Sequence, residues 1–299
     1  MTTPWNSEIT IVGLSLSAGG RYVAVSYAYA WDLPGVLHAA IADSCMGVPS
    51  GCQQTSPLAL PDEVSDPVLS ADGRFAVFVS DRTDLVPNDT NSASDVFLYD
   101  TCRGAAAGCT PSTIRVSVDS NGNEGDGASF LGTITGDGRL VAFTSSATNL
   151  VPGDTNGRED IFVRDTCIGA AAGCTPSTIR ISVADDGSEA DALSLHASLS
   201  ANGRYVAFVS HATNLVAGDT NGASDVFVRD TCLGAPSGCT PSTVRVSVAL
   251  DGTEDDVGSN FPRITTDGRY VVFESLTMRL APGNGSAVFN VFVARTGRP

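Results

Sequence analysis

Short runs of mostly apolar residues, separated by polar turns that contain glycine, extend along the whole chain. The segments RYVAFVS at 204–210 and DVFVRD at 225–230 are typical of these runs. Both are rich in the β-branched and aromatic residues that favour strands. Hardly any segment shows the 3.6-residue period of an amphipathic helix. The pattern predicts an all-β protein.

One of these patterns is repeated at a fixed distance. The segment SANGRYVAFVS around Gly203 has related copies around four other glycines, Gly20, Gly73, Gly138 and Gly268. The last three intervals between these glycines are 65 residues each, and the first is 53 residues. Such self-similarity indicates a repeat architecture. The chain therefore contains five units, and the first of them is shortened.

Each full unit carries four strand signals. In the fourth unit they fall at Ser194–Ser200, Arg204–Ser210, Asp225–Asp230 and Ser242–Val248. Asn202 and Gly203 predict a tight hairpin between the first two strands, with positive φ at both residues. Four consecutive antiparallel strands form a meander sheet, and its two apolar faces need neighbouring sheets to cover them.

Radial stacking of such sheets predicts a five-bladed β-propeller of four-stranded antiparallel blades. We expect a single domain over 1–299, with blades at about 8–60, 61–125, 126–190, 191–256 and 257–299. A linear β-solenoid is the alternative, but its coils are much shorter than this repeat. The fifth unit ends after its third strand, Asn290–Ala294. Its blade is therefore incomplete, unless Met1–Ser7 or a neighbouring chain supplies the fourth strand.

The repeated strand pair resembles a known family. The pattern S-x-D-G-R-[YFL]-[VA]-[AV]-F, followed by DVFVRD, is similar to the WD40-like, TolB-type propeller repeats of bacterial exported proteins. The resemblance extends from about Glu8 to Thr296 and implies a propeller fold. It implies little about function, because such propellers serve as binding, scaffold and enzyme-associated modules alike.

Eight cysteines form four pairs with six intervening residues each, and every pair lies between the third and fourth strand signals of a unit. The pairs are Cys45/Cys52, Cys102/Cys109, Cys167/Cys174 and Cys232/Cys239. Two thiols that flank one short loop can approach to disulfide distance. Zinc ligation is the competing interpretation, but it would require two pairs to converge. Four local disulfides indicate an oxidising compartment.

The net charge of the chain disfavours some classes of binding partner. Seventeen basic residues, all arginine, stand against 33 acidic ones, which gives a net charge of −16. This charge disfavours nucleic acid and anionic lipid surfaces. No apolar run approaches the ~20 residues of a membrane-spanning helix, and the first thirty residues lack a basic export signal. We expect an extracellular, cell-surface or periplasmic protein without membrane insertion.

An acidic loop precedes the third strand in units two to four. Its oxygen-bearing residues recur at i, i+2 and i+6, as Asp89, Asn91 and Asp95, as Asp154, Asn156 and Asp160, and as Asp219, Asn221 and Asp225. Calcium accepts six to eight oxygen ligands in flexible geometry, so each loop is a candidate for one weak calcium site. Ordinary turn chemistry is the alternative, since Asp, Asn and Gly suit any tight loop. The pattern predicts up to three ions, with little positive charge nearby in units two and four.

Two further sets of charged residues are interpreted as structural. The acidic stretches that connect successive blades, at 119–127, 185–191 and 251–256, are predicted to be solvated loops, with an additional cation site as the minority interpretation. The paired arginines and aspartates of the third and fourth strands are predicted to be structural salt-bridge ladders and not anion-binding groups. They are Arg164, Asp165 and Arg180, and Arg229, Asp230 and Arg245.

Unit one departs from the repeat, because an aromatic segment with Tyr27, Tyr29, Trp31 and His38 replaces its acidic loop. Such rings can stack on a sugar or hold a peptide, although they can equally cap an end blade. The chain contains no HExxH, G-x-S-x-G or phosphate-binding loop motif.

The sequence therefore favours a secreted, disulfide-stapled, calcium-binding propeller that acts as a non-catalytic binding or structural module. Its expected partner is a protein or a glycan, or another copy of itself. Two alternatives stay open. One is a filament-type subunit that assembles through the open fifth blade, and the other is a glycan-acting hydrolase or lyase with a site in the central channel.

Overall fold

The computed structural model describes residues 9–29, 37–48, 52, 56–277, 279–280 and 289–297. These residues form nineteen β-strands and one short 3₁₀ turn at Ala18–Gly20, so the all-β prediction is confirmed. Among the described residues, none belongs to a helix with the length and apolar character needed to cross a bilayer.

The strands form five antiparallel sheets, which we call blades 1 to 5 in chain order. Blade 1 contains β1 (Ile9–Leu16), β2 (Tyr22–Tyr29), β3 (His38–Asp43) and β4 (Leu58–Ala59). Blade 2 contains β5 (Ser65–Leu69), β6 (Phe75–Ser80), β7 (Asp95–Asp100) and β8 (Ser112–Arg115). Blade 3 contains β9 (Ser129–Ile134), β10 (Leu140–Ser145), β11 (Asp160–Asp165) and β12 (Ser177–Arg180). Blade 4 contains β13 (Ser194–Leu199), β14 (Tyr205–Ser210), β15 (Asp225–Asp230) and β16 (Ser242–Arg245). Blade 5 contains β17 (Ser259–Ile264), β18 (Tyr270–Ser275) and β19 (Asn290–Arg295).

Each blade is a meander in which consecutive strands are hydrogen-bonded neighbours, as the four strand signals predicted. In blade 4, Tyr205 pairs with Asp230 and Ser210 with Asp225, so β14 and β15 are in register along their full length. Blade 5 has three strands in the described part of the chain, as the sequence indicated. Its outer strand β19 pairs with β18.

The core lies between blades, and the apolar face of one sheet covers the face of the next. Four buried clusters join blade 1 to blade 2, blade 2 to blade 3, blade 3 to blade 4 and blade 4 to blade 5. Inside each of blades 2 to 5, two phenylalanine rings from the second and third strands stack 5.8–5.9 Å apart. Since a single sheet cannot cover both of its apolar faces, this stacking is what stabilises the repeat.

The hairpin between the first two strands of blade 4 differs from its prediction. Gly203 has a φ of 67°, but Asn202 is not in the left-handed region. The Ser200 N–H donates to the Tyr205 carbonyl oxygen at 2.9 Å. This hydrogen bond closes a loop that is longer than the predicted two-residue turn. Asn202 Oδ1 instead accepts a hydrogen bond from the Arg204 N–H at 3.1 Å. The glycine alone supplies the conformation that L-residues avoid.

The innermost strands of all five blades line one cavity of about 360 Å³. This convergence defines a common axis, and the architecture is therefore a β-propeller. Blades 2 to 5 each have an irregular register in this strand, next to a non-glycine residue in the left-handed region. These residues are Asp66, Leu131, His196 and Phe261, with φ between 50° and 58°. Register irregularities of this kind bend a strand and redirect a side chain.

Candidate functional site

The acidic loop of blade 4 folds around an arginine. Asp219 and Asp225 are buried, with 8% and 1% of their surface exposed. Arg245, the last residue of β16, places its Nη1 atom 3.1 Å from Asp219 Oδ1 and 3.2 Å from Asp225 Oδ2. The guanidinium group therefore lies between the two carboxylates that the sequence assigned to calcium.

The connecting stretch after β16 supplies a third carboxylate to the same cluster. A backbone bridge between Val248 and Glu254 orients this stretch, and the Glu254 side chain then reaches Arg245 Nη1 at 3.0 Å. The hydroxyl and N–H groups of Thr220 both donate to Glu254, and these bonds lower the pKa of Glu254 to about 2. The prediction of a merely solvated loop is therefore wrong at this glutamate.

The asparagine of the loop is held by protein contacts on both ends of its amide. Asn221 Nδ2 donates to Asp225 Oδ2 at 2.9 Å and to the Asp255 carbonyl oxygen at 2.6 Å, while its Oδ1 accepts from the Ala223 N–H. Ser247 donates to Asp225 Oδ1 at 2.5 Å. Asn221 thus connects the loop to the next connecting stretch, in the manner of a turn residue.

Blades 2 and 3 repeat the arrangement. In blade 2, Arg115 lies 3.7 Å from Asp89 and 3.4 Å from Asp95, and it also contacts Glu124. In blade 3, the corresponding arginine is Arg180, whose partners are Asp154 at 3.3 Å, Asp160 at 3.4 Å and Glu189 at 2.8 Å. Asn91 and Asn156 donate to Asp95 and Asp160 and to a backbone carbonyl of the connecting stretch, as Asn221 does. The expectation of little positive charge near these loops is wrong, because β8, β12 and β16 each end in an arginine whose side chain enters the loop.

The arginine does not balance the charge of its cluster. Each cluster holds three carboxylates and one guanidinium, so two negative charges stay without a cation when all groups are ionised. Burial accordingly raises the pKa of Asp154 and of Asp219 to about 6. In blade 2, burial also raises the pKa of Asp89, and Asp89 Oδ1 is buried without a hydrogen-bond partner. These properties fit a cluster that can accept a proton or a cation.

A cavity of about 720 Å³ lies beside the blade 2 cluster, at the outer side of the blade. Thr90, Arg115 and Glu124 line it together with Arg164 of blade 3. Of the three carboxylates in this cluster, Glu124 lines the cavity, so solvent and small ions have a route to that group.

The predicted salt-bridge ladders form in part, because Arg180 and Arg245 pair with Asp160 and Asp225 of the neighbouring third strand. Asp165 and Asp230 pair instead with the arginine of the hairpin in their own blade, Arg139 at 2.6 Å and Arg204 at 2.8 Å. Arg164 Nη1 donates to Thr178 Oγ1 and to the Asp119 carbonyl oxygen of the preceding blade. Among these residues, Asp165 and Asp230 therefore have ion-pair partners outside the third and fourth strands.

All four predicted disulfides are present, with Cα atoms 5.7–5.8 Å apart. An aspartate lies close enough to each pair for the group to hold a metal ion, with Asp43, Asp100, Asp165 and Asp230 in this position. Thiolates are the metal ligands, however, and these sulfur atoms are bonded to one another. Each aspartate is also ion-paired with its hairpin arginine. Metal binding at these groups would therefore require reduction first.

The axial cavity gathers residues that the sequence did not single out as a site. Asp66, Leu131 and His196 line it at equivalent positions of three blades, and Arg263 enters from blade 5. The His196 ring lies 4.7 Å from the Phe261 ring, centroid to centroid. Burial and the charge of Arg263 lower the pKa of His196, so the ring is neutral at pH 7. The signal that could have identified this site is variation at one position of an otherwise regular repeat.

The aromatic segment of blade 1 is partly described. Tyr27 and Tyr29 meet edge to face at 5.5 Å, and His38 lies 5.2 Å from the Tyr29 ring. His38 Nδ1 is 2.9 Å from Asp62 Oδ1. Trp31 lies outside the described residues. The two tyrosines are half-buried beside a histidine, which suits packing and ligand stacking equally.

Comparison with known proteins supports the fold. No protein-family model and no curated protein matches the chain. Among solved structures, it is similar to an oligogalacturonate lyase from Vibrio parahaemolyticus, with 12% identity over 97% of this chain and 67% of that one, at a TM-score of 0.51. It is also similar to a puromycin-hydrolyzing peptidase of Mycobacterium tuberculosis, with 14% identity, the same share of this chain, 37% of that one, and a TM-score of 0.51. A TolB candidate from Agrobacterium tumefaciens matches at 14% identity over 97% of this chain and 84% of that one, with a TM-score of 0.48. At these identities the likeness concerns the fold, and different activities share it.

Proposed function

We propose that this protein is a secreted or surface-exposed propeller that binds a protein or glycan partner in the axial cavity and catalyses no reaction. We further propose that calcium stabilises it at the acidic clusters of blades 2 to 4. The four disulfides support the assignment to an oxidising extracellular or periplasmic compartment.

One observation carries the binding assignment. Some positions that pack between blades keep one residue type, as Phe78, Phe143, Phe208 and Phe273 illustrate. The equivalent positions at the axis carry five different residues, Gly13, Asp66, Leu131, His196 and Phe261. An asymmetric ligand on the axis presents a different part of its surface to each blade, and different residues at the five positions suit such a ligand. Four of the five residues adopt the left-handed region that non-glycine residues avoid.

The composition of the cavity favours binding over hydrolysis. A glycosidase needs two carboxylates that face one bond. Among the described residues that line the axial cavity, Asp66 is the one carboxylate. Arg263 and the neutral His196 instead offer hydrogen-bond donors, and the exposed Phe261 ring, 4.7 Å from the His196 ring, offers a stacking surface next to these lining residues.

A binding screen tests the proposal. The intact protein is applied to a glycan array and to a displayed random-peptide library, beside a variant that carries His196→Ala and Arg263→Ala. The control carries His211→Ala and Arg158→Ala, two exposed residues outside the cavity. We expect ligands that the control retains and the cavity variant loses. Two results would contradict the proposal. One is that the cavity variant binds the same ligands as the unmodified protein, and the other is cleavage of a bound glycan detected by mass spectrometry.

Calcium is supported by the two uncompensated charges of each cluster and by the unpartnered Asp89 Oδ1. The carboxylates of Asp89 and Asp95, and their equivalents in blades 3 and 4, would hold the ion, with water completing its oxygen shell. Because a ligand of the native state stabilises by mass action, millimolar calcium should raise the melting temperature relative to chelator. An unchanged melting temperature, with no heat of binding by calorimetry, would exclude calcium at these clusters.

A further inference from the structure

Neighbouring blades meet through the same contact in every interface of the described structure. The glycine of each hairpin lies against a bulky side chain that begins the second strand of the preceding blade. A Cβ built on the glycine would lie 2.1–2.2 Å from that side chain in all four cases, Gly73 on Tyr22, Gly138 on Phe75, Gly203 on Leu140 and Gly268 on Tyr205. Each interface therefore consists of a projecting side chain on one blade and a glycine recess on the next.

The two ends of the propeller carry the unmatched halves of this contact. Tyr270 is the projecting side chain of blade 5, equivalent to Tyr205, and 36% of its surface is exposed. Gly20 is the recess of blade 1, and its nearest neighbour to a Cβ would be the flexible Met46 side chain at 3.7 Å. Among the described residues, blade 5 therefore has a projecting side chain with no glycine recess against it, and blade 1 has a glycine recess with no projecting side chain against it.

The sheet face around Tyr270 is exposed in the same way. Val291 and Val293 of β19 are 66% and 65% exposed, and Phe289 beside them is 64% exposed. The equivalents of the two valines in blade 4, Val226 and Val228, are fully buried against blade 5. Blade 5 therefore presents to solvent the residues with which every earlier blade covers its successor. We call Tyr270, Phe289, Val291 and Val293 the tail face.

The opposite end presents the complementary surface. Leu14 and Leu16 of β1 are 62% and 56% exposed. Strand pairing puts Val25 and Val23 opposite these leucines, on the same side of the sheet. The corresponding positions of Leu16, Val23 and Val25 in blade 2 are Leu69, Ala76 and Phe78, which are buried against blade 1. We call Leu14, Leu16, Val23 and Val25 together with the Gly20 recess the head face.

We propose that the tail face of one molecule binds the head face of a second copy, as blade 4 binds blade 5 within the molecule. Every copy carries both halves of an interface that the fold already forms four times, so a second copy supplies the matching chemistry. Contiguous exposed apolar faces of this kind mark interaction sites. The contact joins two different surfaces, and such head-to-tail association continues into open assemblies unless it closes. The blades surround one axis, so a second copy that continued the same packing at the same height would overlap the first. Successive copies must therefore be displaced along that axis.

Blocked variants test the proposal by measuring molecular mass in solution. Val291→Glu with Val293→Glu places charge in the tail face, and Leu16→Glu with Val23→Glu places charge in the head face without changing a residue that lines the axial cavity. Multi-angle light scattering should show concentration-dependent oligomers for the unmodified protein and for Leu250→Glu, a control at a side chain that is 87% exposed elsewhere. Each blocked variant alone should be a monomer.

Mixing the two blocked variants gives the decisive result. The tail-blocked variant retains a head face and the head-blocked variant retains a tail face, so one interface can form and the mixture should yield a 1:1 dimer. An unmodified protein that stays monomeric at high concentration would overturn the proposal, as would a mixture that stays monomeric. If Leu14→Cys with Val293→Cys forms a disulfide within the monomer, the two faces close the ring instead. None of these outcomes depends on calcium or on the axial cavity.

Discussion

The ring of Tyr205 occupies the space beside Gly268 so closely that a Cβ on the glycine would lie 2.1 Å from Tyr205 Cδ2. The same glycine has a φ of 75°, which L-residues rarely adopt. Two independent constraints therefore act on one residue. The turn needs a left-handed conformation, and the interface between blades needs the absence of a side chain.

Replacing this glycine should cost more than backbone strain alone. We expect Gly268→Ala to lower the free energy of unfolding by about 3 kcal/mol, because left-handed strain and overpacking add. Gly252→Ala is the matched control, since Gly252 has a φ of 83° with nothing within 4 Å of its Cβ position, and it should cost about 1 kcal/mol. Urea denaturation measures both. In the monomer, Gly20→Ala should lower the free energy of unfolding by about as much as the control does. Equal losses of stability in Gly268→Ala and Gly252→Ala would contradict the packing argument.

The pH dependence of stability should reflect the buried aspartates. Asp219 has a pKa of about 6 in the folded protein, against 3.8 ordinarily. The folded state therefore binds the proton more tightly, and this group's contribution to stability falls as the pH rises from about 4 to about 6. Asp219→Asn removes that cost, so the variant should be more stable than the unmodified protein at pH 8 in chelator, by on the order of 1 kcal/mol. Thermal melts across this range measure it.

Two comparisons make that experiment specific. Asp81→Asn, at an exposed aspartate, is the matched control. Glu124 and Glu254 act in the opposite direction, because their pKa values of about 2 lie below the ordinary 4.5, and their contribution is lost as the pH falls from 4.5 towards 2. A steeper fall of stability between pH 4 and pH 6 in Asp219→Asn would refute the assignment.

Removal of the central arginine should separate charge balance from calcium binding. Arg245→Gln leaves three carboxylates without their cation, and breaking a buried ion pair from one side costs about 3–5 kcal/mol. Calcium should restore part of this loss and should bind the blade 4 cluster more tightly than in the unmodified protein. Calorimetric titration against Arg158→Gln, an exposed arginine, provides the comparison. Equal calcium affinity in both variants would argue against an ion in this cluster.

Each disulfide should contribute to stability by restricting the unfolded chain. The loop closed by Cys232 and Cys239 has a sequence separation of 7. Chain entropy then predicts a loss of about 2.5 kcal/mol for the variant with both cysteines replaced by alanine. Denaturation with and without reducing agent measures this contribution. The variant should be more stable than the fully reduced protein, because it retains three disulfides. A variant as stable as the unmodified protein would contradict the prediction.

Much of the fold could be read from the chain because the repeat displays its own constraints. Gly73, Gly138, Gly203 and Gly268 mark the hairpins, and the regular strand pattern between them sets the sheets. Strand order and the cysteine pairs were predicted, and a three-stranded blade 5 was one of the alternatives that the sequence left open. The hairpin conformation was not, because whether Asn202 takes a positive φ depends on the side-chain hydrogen bond it makes to Arg204.

The acidic clusters show where local pattern fails. The spacing of Asp219, Asn221 and Asp225 identified a cluster of oxygen atoms, but Arg245 and Glu254 arrive from later segments of the chain. Nothing in the local sequence shows that β16 ends with its arginine pointing into that loop. The axial cavity was missed for a related reason, since its residues lie 65 positions apart and meet only at the axis.

The sequence by itself determined that this protein is an array of five meander sheets, four of them with a local disulfide, because strand pattern, hairpin glycines and cysteine spacing act within one unit. Only the tertiary structure decided which charges neutralise one another, which residues share the axis, and that the Tyr270 and Gly20 ends are left exposed. Those properties arise from contacts between units. A repeat pattern specifies what each blade can bind, whereas the arrangement of all five blades determines which of those surfaces are already covered.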